Sequence, residues 1–264
     1  MNSTHAMVVT FACACAGAVI GILIRWRLHD HHVTPGSQEI LKLSVGVVAT
    51  LTALVLGLLV GGTKQFYDAK VNELRTFVVN ITLLDRALSH YEPSLIEERQ
   101  LVRKFSKGMM AGLWGVAEPA SSHRDLLLKL DEVRDKVRHL QPPTDPLKSV
   151  QARVMTLTDV LMLSAAKLIE TDDAAIPAPL FGVVDAWLVV IFLGLGVFTP
   201  PNRVTVPAVG MSAAAVSMAV FLVVEMSTPF SGFIVIPPAI MQQAIDQITA
   251  AQRPLAATAT PEIR

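Results

Sequence analysis

The sequence predicts an all-α integral membrane protein with four membrane-spanning helices and a helical bundle inserted between the second and third. Three observations lead to this fold. The chain has 264 residues, 52% hydrophobic and 17% charged, whereas soluble domains sit nearer a quarter charged. The deficit is uneven. Apolar residues gather in four runs, each close to the ~20 residues that cross ~30 Å of hydrocarbon, while Lys64 to Asp173 carries most of the charge. No alternating apolar–polar stretch of useful length marks a strand, and no internal repeat marks a solenoid.

The first span runs from Met7 to Ile24 and stops at Arg25, Trp26 and Arg27. A signal peptide would carry a basic segment in front of it, and no Lys or Arg precedes Met7, so a retained anchor is expected. The second span, Leu43 to Gly62, closes at Lys64. The third, Leu180 to Phe198, stops at Pro200 and Pro201. The fourth, Val206 to Met226, stops before Pro229. Pro35-Gly36 and Thr199-Pro200-Pro201-Asn202 suit tight connections between antiparallel helices. Four spans put both termini on the same side as the insert. The basic residues flanking the spans are too evenly divided to orient the chain. The expected division is 1–63 for spans 1 and 2, 64–176 for the insert, 177–227 for spans 3 and 4, and 228–264 for the C-terminal segment.

No proline falls between Pro35 and Pro93, so the second span can continue as one helix towards Tyr91. Leu74, Phe77, Val78, Ile81, Leu84 and Leu88 recur at helical spacing, with Asp85 and Arg86 read as lying on other faces. Further helices are expected over Pro93–Trp114, Ser122–Leu140 and Leu147–Ile169, with Ser121 or Ser122 as a cap. Each carries an apolar stripe, and together they can form a small bundle. The charges of Glu97-Glu98-Arg99 and of Asp131 to Lys136 read as solvated faces with i,i+4 pairs.

Candidate chemistry is sparse. Net charge is zero, so no basic field attracts nucleic acid. No phosphate-binding loop, dinucleotide fingerprint, nucleophile elbow or zinc-protease motif occurs, which argues against an enzyme. No cofactor is expected. Cys13 and Cys15, two residues apart on one helix, point in different directions and are not expected to bond. His29, His31 and His32 sit together in the first connection. Imidazoles can bind a metal, but a site needs geometry and a further ligand, and loop histidines are more often solvated. Asp185 and Glu225 are the acidic residues in apolar runs. Charge in hydrocarbon suggests a pore or proton role; the alternative is an interfacial or helix-capping position. On the second span, Thr50, Leu54 and Leu58 follow i, i+4, i+8 and share one side. Around an axis they would form an apolar constriction that gates by dewetting; otherwise they pack against neighbouring spans. Gly46, Gly57, Gly61 and Gly62 offer smooth surfaces for close helix packing.

Glu225-Met226-Ser227-Thr228-Pro229-Phe230-Ser231-Gly232, followed by Pro237, Pro238 and a helical run from Ala239 to Ile248, resembles the segment after the last span of bestrophin-like membrane proteins. There an acidic residue precedes a Pro-Phe-(x)-Gly turn and a Pro-led helix follows; here the turn residues are Pro229, Phe230 and Gly232, ahead of a short helix and flexible tail. Val55 to Val60 running into Lys64-Gln65-Phe66-Tyr67-Asp68-Ala69-Lys70 is similar to the end of the second span in that family. The layout of four spans and insert matches as well. The resemblance implies a homopentameric anion channel of the bacterial inner (plasma) membrane, with the insert and both termini cytoplasmic. Its partners would be further copies of the chain, membrane lipid and inorganic anions. It also implies that Thr50, Leu54 and Leu58 form the neck. That neck is typically aromatic in bestrophins, and aromatic edges favour anions, whereas leucines only exclude water. The acidic run that helps bind calcium in animal members is replaced here by apolar Phe233-Ile234-Val235-Ile236. The chain therefore looks more like the divergent bacterial bestrophin-like group.

A second function compatible with these residues is a membrane-anchored sensor or scaffold whose helical insert binds a partner. A secondary transporter ranks last, because broken internal helices and inverted repeats are missing.

Overall fold

A computed structural model describes residues 3–27, 35–90, 95–115, 123–142, 144–169, 178–198 and 202–258. Eight helices follow one another: α1 Ser3–Arg27, α2 Pro35–Ser89, α3 Ile96–Trp114, α4 His123–Arg138, α5 Asp145–Ile169, α6 Ala178–Phe198, α7 Thr205–Met226 and α8 Ala239–Thr258. No strand occurs among the described residues. Four helices (α1, α2, α6 and α7) are long and apolar enough to cross a membrane. The protein is an all-helical integral membrane protein.

Helix α2 is unbroken over 55 residues, about 80 Å at the α-helical rise. It starts at Pro35, where a missing N–H costs nothing because the first-turn amides lack helical acceptors anyway. Helix α8 extends past Ile248 to Thr258, and Gln252 in this extension bonds to Asp85 and to the Arg99 carbonyl. The serines suggested as a cap for α4 lie outside the described residues.

The chain divides into two compact units, Met1–Tyr67 with Ala175–Ile234, and Asp68–Ala174 with Val235–Arg264. In the first, α1 packs along α6 through small residues. Ala6, Thr10, Ala14, Gly17, Ala18 and Gly21 are buried at spacings of three and four, which aligns them on one face. A Cβ at Gly17 would lie 2.7 Å from the Val189 carbonyl oxygen, and one at Gly21 or Gly196 would also collide with the backbone of the facing helix. Thr10 meets Asp185, Gly17 meets Val189, Gly21 meets Leu193 and Arg25 meets Val197. Both helices therefore run in the same direction. Helix α7 returns against α1, since Ser3 faces Glu225. Ala14, Ala18, Val184, Leu188, Phe192 and Ala213 form the core, with Val55, Leu56 and Leu59 of α2 packed against it. Gly194 is approached by the Val45 side chain. The glycines singled out on α2 behave otherwise. Positions 46, 57, 61 and 62 face open space within the chain; close approach uses the glycines of α1 and α6 instead.

In the second unit, Leu74, Phe77, Ile81, Leu84 and Leu88 of α2 are fully buried with Val102, Phe105 and Met109 of α3. The Phe77 and Phe105 rings meet at 6.0 Å. Leu126, Leu130, Val133 and Val137 of α4 join them, as do Val154, Leu161 and Leu168 of α5 and Met241, Ile245 and Ile248 of α8. The side chain of Gln151 donates to the Val137 and Leu140 carbonyls and caps the end of α4. Trp114 Nε1 donates to the Ile236 carbonyl at 2.8 Å.

Two charge assignments made from sequence are corrected. Asp85 is buried, and so are Glu98 and Arg99. Asp85 follows Ile81 by four residues and so shares its inward side. The Arg99 guanidinium donates to both Asp85 oxygens at 3.0 Å, and Gln252 Nε2 donates to Asp85 Oδ1 at 2.9 Å and to the Arg99 carbonyl at 3.0 Å. The solvated reading holds for Asp131, Glu132 and Asp135, which are exposed. Lys136 lies within 3.5 Å of Glu97, Glu98 and Glu132. Desolvation opposes its charge, but the carboxylates, Glu98 foremost, outweigh it and hold its pKa above the usual lysine value.

Two measurements test this packing. Gly21→Val is expected to lower the melting temperature in detergent, with an overpacking cost of about 1–3 kcal/mol, because the facing obstacle is backbone and cannot rotate away. Asp85→Ala is expected to cost about 3–5 kcal/mol by stranding a buried guanidinium, while Glu97→Gln at the exposed rim leaves the melting temperature nearly unchanged.

Candidate functional site

On α2, six of the exposed apolar residues fall on one stripe, Ile40, Leu43, Val47, Leu51, Leu54 and Leu58, with exposed Leu41 to one side of it. Their spacing of three and four confines them to roughly 100° of the helix circumference. Leu54 is 60% exposed and Leu58 is 68% exposed. Thr50 is exposed on the same stripe, its hydroxyl donating to the Gly46 carbonyl at 2.9 Å. The opposite face carries Val55, Leu56, Leu59 and buried Thr52. Only 6% of the apolar window of α2 is buried, against 22–28% for the other three spans. Within one chain, then, α2 is covered on one side and bare on the side holding the three candidate pore residues.

The two acidic candidates lie in different settings. Asp185, in the second turn of α6, is half-buried against α1, where Oδ1 accepts the Thr10 hydroxyl at 2.9 Å. It is a cross-helix hydrogen bond within the α1–α6 seam. Glu225, in the last turn of α7, is fully buried. Its Oε1 accepts the backbone N–H of Ile234 at 3.0 Å and that of Phe233. Oε2 is also buried, and Ser3 of α1 faces this carboxylate.

The Pro229-Phe230-Ser231-Gly232 segment is a turn folded around this carboxylate. Pro229 and Phe230 are buried. The Ser231 N–H donates to the Thr228 carbonyl at 3.2 Å, and the Thr228 hydroxyl donates to the Ser231 carbonyl at 3.2 Å. Gly232 has φ 107°, and a Cβ there would strike the Glu225 carboxylate. Glycine is needed twice over, for the backbone angle and for the space. The turned backbone then presents two successive amides to one oxygen. The Phe233 ring extends from the turn and meets Phe221 at 6.1 Å.

The histidine cluster at His29, His31 and His32 lies outside the described residues. Among the described residues, no group of three or more His, Cys, Asp or Glu side chains has a metal-binding arrangement. Cys13 and Cys15 are free thiols. Sequence reasoning did not single out Thr10, the donor to Asp185, nor the amides of Phe233 and Ile234.

These features define a class: a four-span helical membrane protein with a helical insert and a buried glutamate closing the turn after its last span. The Bestrophin-like domain family matches residues 11–241, and the chain belongs to that family. A crystal structure of a bacterial bestrophin homologue from Klebsiella pneumoniae, carrying a single mutation, is similar in fold with a TM-score of 0.62 and 13% identity. The match covers 94% of this chain and 99% of that one. A second crystal structure, described as a membrane protein with a single substitution, gives a TM-score of 0.65 at 12% identity, over 94% and 98% of the two chains. No curated protein matches the sequence at a significant level.

The role of the glutamate is open to measurement. Gly232→Ala is expected to lower the detergent melting temperature, by roughly 1–3 kcal/mol of lost amide bonding and backbone strain. Ser231→Ala, one position earlier with its side chain exposed, is expected to change it by less than about 0.5 kcal/mol.

Proposed function

We propose that the protein is a homo-oligomeric ion channel, with anions as its permeant species, whose second spans surround a common axis with Thr50, Leu54 and Leu58 at the constriction. The observation that carries this reading is the bare stripe of α2. Ile40 to Leu58 exposes leucine, isoleucine and valine side chains on one continuous face, and that face bears no carboxylate ring of the kind that selects cations. Two rings of leucine make a passage that empties of water unless it widens, so conduction is gated by small changes in radius. The Thr50 hydroxyl donates to the Gly46 carbonyl, so the helix satisfies its proton internally. Membership of the bestrophin-like family supports the finer assignments. These are a pentamer, residence in a bacterial inner membrane, and a cytoplasmic placement for residues 64–176 and both termini.

Purified protein in planar bilayers is expected to pass anion currents. Leu54→Ala and Leu58→Ala are each expected to raise unitary conductance several-fold without loss of assembly. Particle images of the detergent-solubilised protein are expected to have rotational symmetry with an axial opening. A symmetric assembly with a sealed axis and no current in any variant would instead identify a membrane-anchored scaffold.

A further inference from the structure

The membrane unit has a hollow at the end where α1 and α6 finish and α7 begins. It is an apolar groove of about 170 Å³, lined by Cys15, Val19 and Ile22 of α1, Leu195 of α6, and Val209 and Gly210 of α7. Thr205 brings the one hydroxyl in the lining, and its oxygen already accepts the Asn202 N–H at 3.1 Å. Nothing in the groove can recognise a polar solute. In a bilayer the material at hand to fill an open apolar hollow of this kind is hydrocarbon.

The mouth has the opposite character. Arg25 follows Ile22 by one turn, and its Nη1 donates to the Val197 carbonyl at 3.0 Å, beside Leu195. Arg203 precedes Thr205 by two residues at the start of α7. Arg27 ends α1, and Lys42 at the same end lies over the Phe198 ring. All four cations are exposed, and none of the three arginines pairs with a described carboxylate. Glu39, at the start of α2, is the described acid nearest them in sequence. Trp26, 71% exposed between Arg25 and Arg27, has the amphipathic ring that settles at headgroup depth.

We propose that this groove is a binding site for one anionic phospholipid of the surrounding bilayer. An acyl chain lies along Val19, Ile22 and Val209, and the phosphate lies against the guanidinium groups of Arg25 and Arg203. The planar guanidinium fork matches a phosphate in shape and charge. An apolar body with cations at one end is complementary to a lipid of net negative charge, and a zwitterionic lipid would meet those cations with an ammonium of its own. The proposal rests on the membrane unit alone and does not require conduction.

The test uses native mass spectrometry of the full chain released from detergent, with added phosphatidylglycerol or phosphatidylcholine. Wild type is expected to retain phosphatidylglycerol with roughly thirtyfold preference, in keeping with two cations acting near a membrane surface. Arg203→Gln is expected to cut that preference several-fold while still retaining lipid. It spares Arg25, which also ties α1 to α6. Gly210→Phe is expected to reduce retention of both lipids, since a Cβ at Gly210 meets no atom within 4 Å and the ring can be directed into the groove that Gly210 lines. Equal retention of the two lipids by wild type would overturn the proposal. So would variants that bind as wild type does. Efficient disulfide cross-linking of Val206→Cys between copies would also overturn it, because a second subunit would then fill the groove.

Discussion

The membrane unit depends on how closely two helices can approach in a solvent that gives apolar surfaces no reason to meet. In water, burying a leucine stabilises the fold; in lipid it exchanges one hydrocarbon contact for another. What remains is dispersion, which falls off steeply with distance, and the occasional interhelical hydrogen bond. Helix α1 answers with a face of Ala6, Ala14, Gly17, Ala18 and Gly21 laid against the α6 backbone, and with Thr10 bound to Asp185. The α1–α6 pairing sets both helices running the same way. It therefore fixes which ends of the spans carry the basic residues and which carry the turn around Glu225.

The second unit is built differently. Its core is large side chains at helical spacing, from Leu74 to Leu88 and from Val102 to Met109, the packing that the hydrophobic effect drives. One polar network interrupts it. Asp85, Arg99 and Gln252 come from three helices and saturate most of one another's hydrogen-bonding capacity. Such a network adds little net stability over an apolar core, yet it penalises any other docking of α8, since misplacement leaves charges buried without partners.

Much of this was legible in the sequence. The four spans follow from length and polarity, and the apolar stripes of the second unit's helices from their period. The side chains those stripes named, Phe77, Phe105, Leu130 and Val133 among them, are the buried ones. Three features were not legible. Asp85 and Glu98-Arg99 looked solvated because their partners stand 14 to 167 residues away, and spacing reports only local neighbours. Glycine on α2 drew attention as a packing surface, whereas the positions that touch another backbone are on α1 and α6. The available signal was the series Ala6, Thr10, Ala14, Gly17 and Gly21 at spacings of three and four, which an all-apolar run conceals. Glu225 stayed ambiguous because its donors are amides eight and nine residues later, brought back only by the left-handed Gly232.

The α1–α6 seam has a thermodynamic consequence. Glycine and alanine have no rotamers to surrender on association. On the α1 side the contact therefore orders almost no side chains, and the ordering is confined to α6 residues such as Val184, Leu188 and Phe192. The leucine stripe on α2 differs in kind: each side chain there has several rotamers, so joining a neighbour freezes motion that was free in the isolated chain. The seam is thus suited to forming early and staying shut, and the stripe to adjusting its shape after the spans have assembled.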